Sequence, residues 1–155
     1  MEEKITIILC LWYTKNVHKS FYASGFLYHS PSQQILLQQS THDNTETFDL
    51  FRGKNKNGND PKIVFQQCVE KALKTTIAAS SVHTVYDYVH DTLGEQFIFY
   101  VEITGQIPTS YKANANQTWV LLSKLAKLAM NEQTRHDIII GERVIRSHIP
   151  PASPQ

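Results

Sequence analysis

Cysteine is scarce in this chain: Cys10 and Cys68 are the whole complement. Two thiols are too few for the cross-linked framework of a small secreted scaffold, and they lack the paired spacing of a zinc site. A reducing, cytoplasmic setting is the expectation. An excess of charge of either sign is missing too. There are 15 Lys+Arg against 14 Asp+Glu, a formal net charge of +1, so no electrostatic pull toward nucleic acid or an anionic membrane follows. There is no glycine-rich phosphate loop of the Walker type, no internal repeat and no long heptad pattern. Seven histidines are scattered, and none makes a His-x-x-x-His or Cys-x-x-His metal spacing.

Long apolar runs are also absent. The longest, Ile5 to Tyr13, follows Glu2 and Glu3 rather than a basic stretch and has no small-residue cleavage site behind it. It falls far short of the ~20 apolar residues that span a bilayer. A buried first strand is predicted there. With 155 residues and 41% hydrophobic content, the chain can bury one core, and a single domain over residues 1–146 is expected. Residues 147–155, with Pro150, Pro151 and Pro154, read as a flexible tail.

What is present is a run of strand and helix signals. Ala23–Tyr28 and Gln34–Gln39 are predicted strands joined by a turn at His29–Ser32. Thr41 to Thr47 is polar and reads as a loop before a short strand, Thr47–Leu50. Asp60 is a good N-cap, and Pro61 suits the first helical position because its missing N–H would be unpaired anyway. A helix is therefore predicted from Pro61 to Lys74. Its apolar stripe, Val64, Phe65, Cys68, Val69, Ala72 and Leu73, is wide. Thr84–His90 and Gln96–Ile103 flank a Gly-containing turn and read as a hairpin, with Tyr86, Tyr88 and Tyr100 alternating along it. Leu121, Leu122, Leu125, Leu128 and Ala129 repeat at helical spacing. A second helix is expected later, with Thr134 and Asp137 as its N-terminal cap pattern.

The most informative stretch is Phe48-Asp49-Leu50-Phe51-Arg52-Gly53-Lys54, a loop ending Gly58-Asn59-Asp60-Pro61, and the helix that follows. In order and spacing it resembles the signature of the Nudix hydrolase family (MutT-like fold). There, a Trp-Glu-Leu-Pro-Gly-Gly-Lys strand end and an acidic loop lead into a helix bearing Arg-Glu-aliphatic-x-Glu-Glu-x-Gly. Asn114–Val120 is similar to the family's Glu-x-x-Trp-Val strand. The resemblance covers roughly residues 4–146 and implies an α/β (α+β) fold, an α/β/α sandwich with a mixed central sheet.

The resemblance also implies what is missing. Nudix chemistry gathers magnesium or manganese on several carboxylates of one helix face. Matched without a gap, the loop Glu is Asn59, the Arg is Gln67, the adjacent Glu is Cys68, and the paired glutamates fall on Lys71 and Ala72. Of the defining positions, Gly53 and the aliphatic Val69 remain. The strand Glu of Glu-x-x-Trp-Val falls on Asn116. Glu70 sits about 200° around the helix from Cys68 and cannot replace it without a register shift. No metal and no cofactor is therefore expected.

Three functional readings follow. The leading one is a catalytically inactive Nudix-fold module that binds a nucleotide or other diphosphate-containing small molecule, with Arg52, Lys54, Tyr86, Tyr88 and Asn116 as ligand-binding candidates and Lys71 adding charge. The second is a divergent hydrolase using acids outside the box, such as Glu46, Asp49, Glu95 or Glu102. The third is a protein-interaction domain on the same fold. Homodimerisation is left open.

Overall fold

A computed structural model describes residues 20–55, 58–111 and 116–150. The expected first strand, Ile5–Tyr13, and residues 151–155 of the expected tail lie outside the described residues. In chain order the elements are β1 (Phe21–His29), β2 (Gln34–His42), β3 (Thr45–Asp49), β4 (Phe51–Lys54), α1 (Pro61–Leu73), β5 (Val82–His90), β6 (Gly94–Ile103), β7 (Gln117–Leu121) and α2 (Glu132–Ser147). Short 3₁₀ segments cover Ala79–Ser81, Thr109–Tyr111 and Leu122–Lys127.

Strand β1 is the centre of the sheet because its sequence is apolar on both faces. It pairs parallel with β6 and antiparallel with β2 and β4, in the order β3-β2-β1-β6-β5, while β7 pairs with β2. Ala23 and Leu27 point into a cluster with Phe65, Val69 and Leu73 of α1. Phe26 and Tyr28 point into another with Ile138 and Ile145 of α2. A strand buried on both sides reads as a near-continuous apolar run, and a mixed sheet covered by a helix on each face results. Each buried Phe, Leu, Ile or Val in these clusters contributes roughly 1.5–3 kcal/mol of transfer free energy. The α/β/α arrangement is the one expected.

Helix α1 starts where its sequence directs. Asp60 accepts a hydrogen bond from the Lys62 N–H at 2.8 Å, and Pro61 follows it. The helix ends at Leu73, with Lys74 in the left-handed region at φ 53 and its N–H on the Glu70 carbonyl.

Elsewhere the structure corrects the sequence reading. The expected loop Thr41–Thr47 is a hairpin: β2 runs to His42, β3 starts at Thr45, and Asp43 and Asn44 turn between them at φ 50 and 62. Two consecutive left-handed residues fit a two-residue hairpin turn, and Asp and Asn tolerate that conformation. The strand ends here are exposed on both faces, so no apolar alternation announces them. The leucine repeat after Leu121 is a 3₁₀ segment, not an α-helix. Leu121 is still held in β7 opposite Gln34, and Leu125 alone of the 3₁₀ segment is buried. The cap of α2 is Asn131, whose side chain accepts from the Thr134 N–H at 2.7 Å. Thr134 and Asp137 are fully buried inside the helix face instead. The same helix continues to Ser147, into the region expected as tail.

Gly141 is what lets α2 lie close on the sheet, since a methyl carbon there would sit 2.7 Å from Cζ of the fully buried Phe26. Gly141→Ala should therefore lower the unfolding free energy by about 1–3 kcal/mol in a urea titration. Gly105→Ala, with no atom within 4 Å of the added methyl carbon, should stay within about 0.5 kcal/mol of the parent. Equal midpoints for the two variants would refute this packing account.

Candidate functional site

Strand β4 and helix α1 run side by side, and the contact is tight at one glycine. A methyl carbon on Gly53 would lie 3.2 Å from Cβ of Cys68 and 3.2 Å from both Cγ1 and the carbonyl oxygen of Val64. Beside this contact opens a groove of about 630 Å³. Helix α1 lines it with Val64, Gln67, Cys68, Lys71 and Ala72, which is one face at three- and four-residue spacing. Strand β4 adds Arg52, Gly53 and Lys54, the preceding loop adds Asn59, and β2 adds Gln38. Of the box positions named from the sequence, Gly53, Asn59, Gln67, Cys68, Lys71 and Ala72 share one groove with Arg52 and Lys54, while the aliphatic Val69 is buried in the core. Gln38 was not foreseen. It reaches the groove through sheet pairing, which leaves no local sequence signal.

The groove is basic. Arg52, Lys54 and Lys71 are its charged residues, with no carboxylate among the lining side chains. Arg52 Nη2 lies 3.9 Å from Asp49 Oδ1, with both side chains partly exposed. Such a pair is worth at most about 1 kcal/mol. Lys54 Nζ sits over the Tyr22 ring, 5.7 Å from its centre. Burial pushes the Cys68 thiol up, with the Arg52 backbone and the Lys71 charge opposing it, so Cys68 stays a neutral thiol at neutral pH.

A hard divalent cation needs several oxygen ligands, preferably anionic. The side chains here are amides, a thiol, a methyl and three cations, and they do not fit one. Glu70 does not supply the missing ligand. Its Oε1 accepts from Gln66 Nε2 at 3.2 Å and from the Ile77 N–H at 3.0 Å, which fastens the chain after the helix. Glu46, Asp49, Glu95 and Glu102 are not among the lining residues either. Asp49 accepts from the Leu50 N–H at 2.7 Å and from Thr134 Oγ1 at 2.9 Å. Among the described residues no group of three or more His, Cys, Asp and Glu side chains is placed to hold a metal.

Three of the sequence-derived ligand candidates lie elsewhere. Tyr86 and Tyr88 stack on each other at 5.3 Å on the sheet face covered by α2, and neither lines the groove. Alternation along β5 placed them on a common face, but pairing sets that face against α2. The Tyr86 hydroxyl donates to Asp137 Oδ1, which also accepts from Gln133 Nε2 at 2.8 Å. Asn116 is exposed, and its carbonyl oxygen accepts from the Gln39 N–H at 2.8 Å.

Burial raises Tyr86 far above the usual phenol range, with the bond to Asp137 adding to it. Burial likewise lifts Tyr88 to about 12, helped by the charge of Asp137 and opposed by that of Arg52. The sequence reading missed Asp137 as a buried acid, because its spacing from Thr134 invited a capping role.

No protein-family model and no curated protein matches this chain. Solved structures do. A mutT/nudix family protein from Listeria innocua superposes with a TM-score of 0.67 at 10% identity, over 83% of this chain and 95% of that one. The C-terminal domain of mouse MUTYH, solved in complex with human PCNA, gives 0.63 at 10% identity over 83% and 91%. The NUDIX domain of Shewanella oneidensis NrtR, solved with ADP ribose, gives 0.55 at 13% identity over 81% and 86%. At these identities the likeness establishes the fold, which is the MutT/Nudix fold.

Asp137 generates a pH prediction. It is fully buried, its Oδ2 has no hydrogen-bond partner, and burial outweighs its hydrogen bonds and the nearby charges in raising its pKa. The native state therefore holds this proton more tightly than the unfolded chain. The resulting stabilisation is complete below the unfolded carboxyl value, about 3.9, and is lost as pH rises through the higher folded value. Asp137→Asn keeps an acceptor for Tyr86 and cannot ionise. Relative to the parent, its thermal stability should improve as pH is raised from acid to neutral. A difference between the two proteins that is constant with pH would contradict the buried-acid account.

Proposed function

We propose that this Nudix-fold chain is a catalytically inactive member of the Nudix superfamily, and that its groove holds a nucleotide or another diphosphate-containing small molecule without a divalent cation. One observation carries the reading: where a metal-dependent phosphohydrolase needs carboxylates, the groove presents Arg52, Lys54 and Lys71 and no acid. These are donors and positive charges, the chemistry that recognises phosphate oxygens. Lys71 has no ion pair or hydrogen bond among the described residues, so its ammonium is available. A neighbour of the same fold, the NrtR domain, was solved with ADP ribose, which is consistent with a ligand of this class. Tyr86 and Tyr88 drop out of the proposed set because they pack under α2; Arg52 and Lys54 remain, with Lys71, Gln67 and Asn59.

Solvent-facing ion pairs contribute about 0–1 kcal/mol each, so binding should be modest and salt-sensitive. In the presence of EDTA, ADP should raise the melting temperature saturably at low ionic strength. The rise should shrink at high salt, where the screening length falls to about 3 Å at 1 M. Lys71→Glu should abolish it while remaining folded, because Lys71 is exposed. Magnesium-dependent phosphate release from ADP or ADP ribose would replace this reading with that of an active hydrolase.

A second reading has its own observation. An apolar cleft of about 210 Å³ lies between the 3₁₀ segment Leu122–Lys127 and α2, lined by Leu122, Leu125, Met130, Ile138 and Ile139. The similar domain of mouse MUTYH was solved with a protein partner. A protein-interaction role would gain support from a folded chain that ignores nucleotides with and without magnesium.

A further inference from the structure

A second polar cavity lies on the other face of the sheet, independent of the groove. It has a volume of about 370 Å³ and sits where the C-terminal end of α2 covers the C-terminal ends of the parallel pair β1 and β6. Its polar lining is Tyr28 of β1, Ser30 just beyond β1, Tyr100 and Glu102 of β6, His83 of β5 and His148 at the end of α2, and its apolar wall is Ile145 and Ile149. Tyr28 stands opposite Glu102 in the strand register, and Tyr100 is two residues before Glu102, so these side chains share a face.

Three of these groups have unused acceptor capacity. Tyr28 is 5% exposed and Tyr100 2% exposed, and neither hydroxyl makes a hydrogen bond, yet neither is sealed from solvent. Tyr100 is fixed between two rings, Phe26 at 6.1 Å and His83 at 5.0 Å, so its hydroxyl cannot swing away to find a partner. Glu102 accepts no hydrogen bond either; its nearest ionisable partner, His83 Nε2, is 3.7 Å from its Oε2. These oxygens line a cavity that solvent reaches, and their open acceptor positions are free for water or a ligand.

Glu102 is the one carboxylate among the side chains lining the cavity. The Glu102 carboxylate raises the pKa of both tyrosines, second only to burial. Arg146, whose charge opposes that rise at Tyr28, is itself held by Glu142 through hydrogen bonds of 2.6 and 3.1 Å. The C-terminus of α2 adds the negative end of a helix dipole. An anion is disfavoured here, and a cation with several N–H donors is favoured.

We propose that this cavity binds a primary ammonium group, with Glu102 as counter-ion and the Tyr28 and Tyr100 hydroxyls as hydrogen-bond acceptors. A short alkyl chain on the nitrogen lies against Ile145 and Ile149. Three N–H donors meet three oxygen-bearing side chains, and the apolar wall selects an amine over a bare inorganic cation. The ammonium could belong to a free amine or to a lysine of another protein; the recognised chemistry is the same.

The test uses the full chain with isoleucine methyl groups labelled for NMR. Butylammonium should shift the Ile145 and Ile149 methyl signals saturably, and the neutral isostere 1-butanol should not. Glu102→Gln, which keeps the shape of the side chain and removes its charge, should weaken the binding at least about tenfold, the equivalent of about 1.4 kcal/mol. Tyr100→Phe should weaken it by a smaller factor. Circular dichroism of both variants establishes that they are folded. Nα-acetyl-lysine methylamide separates the sources: tighter binding than butylammonium assigns the ammonium to a peptide, weaker binding to a free amine. No saturable shift, an equal response to 1-butanol, or unchanged affinity in folded Glu102→Gln would overturn the proposal. None of these outcomes touches the nucleotide reading of the groove.

Discussion

The approach of α1 to β4 at Gly53 is the constraint on which the groove depends. With no side chain at Gly53, Val64 and Cys68 rest almost on the strand backbone. That contact brings Gln67, Cys68, Lys71 and Ala72 of the helix to the same opening as Arg52 and Lys54. Strand β4 is in turn fixed by four paired positions on β1, the strand buried on both faces. The rigid core therefore sets the shape of the site, while the residues around its rim set its charge.

Shape and charge are separable here, and that is the physical basis of the functional reading. A metal-dependent site for diphosphates answers the ligand's negative charge with cations held by carboxylates. Positive side chains answer the same charge directly. At an effective dielectric of about 20, two unit charges about 4 Å apart interact by about 4 kcal/mol. A groove lined by Arg52, Lys54, Lys71 and neutral side chains thus disfavours a cation and favours an anion. What is given up is the polarising power of a metal ion on water and phosphorus, so binding can persist where hydrolysis does not.

Much of this was legible in the sequence because it is local. Asp60 and Pro61 mark a helix start, three- and four-residue spacing puts the box positions on one face, and Gly53 fixes the register between strand and helix. The parts that were not legible depend on partners distant in the chain. The Asp43–Asn44 hairpin is exposed on both faces and shows no apolar alternation. The segment after Leu121 has helical leucine spacing, yet sheet pairing holds its start as strand. Tyr86 and Tyr88 were correctly placed on a common face, but which face is decided by pairing with β6 and packing under α2. The second polar cavity draws on residues 28, 30, 83, 100, 102, 145, 148 and 149, a set that no linear motif could bring together.

The central claim is that the groove keeps a Nudix shape while its charge has been exchanged, and magnesium titration of two proteins tests it most directly. One is the parent. The other restores an acidic face through Asn59→Glu, Cys68→Glu, Lys71→Glu and Ala72→Glu. The melting temperature of the parent should be flat in magnesium. That of the restored variant, once shown to be folded, should rise with magnesium, by the equivalent of about 2.7 kcal/mol at 100 times the dissociation constant. A saturable magnesium-induced rise in the parent, or a folded variant that ignores magnesium, would contradict the account.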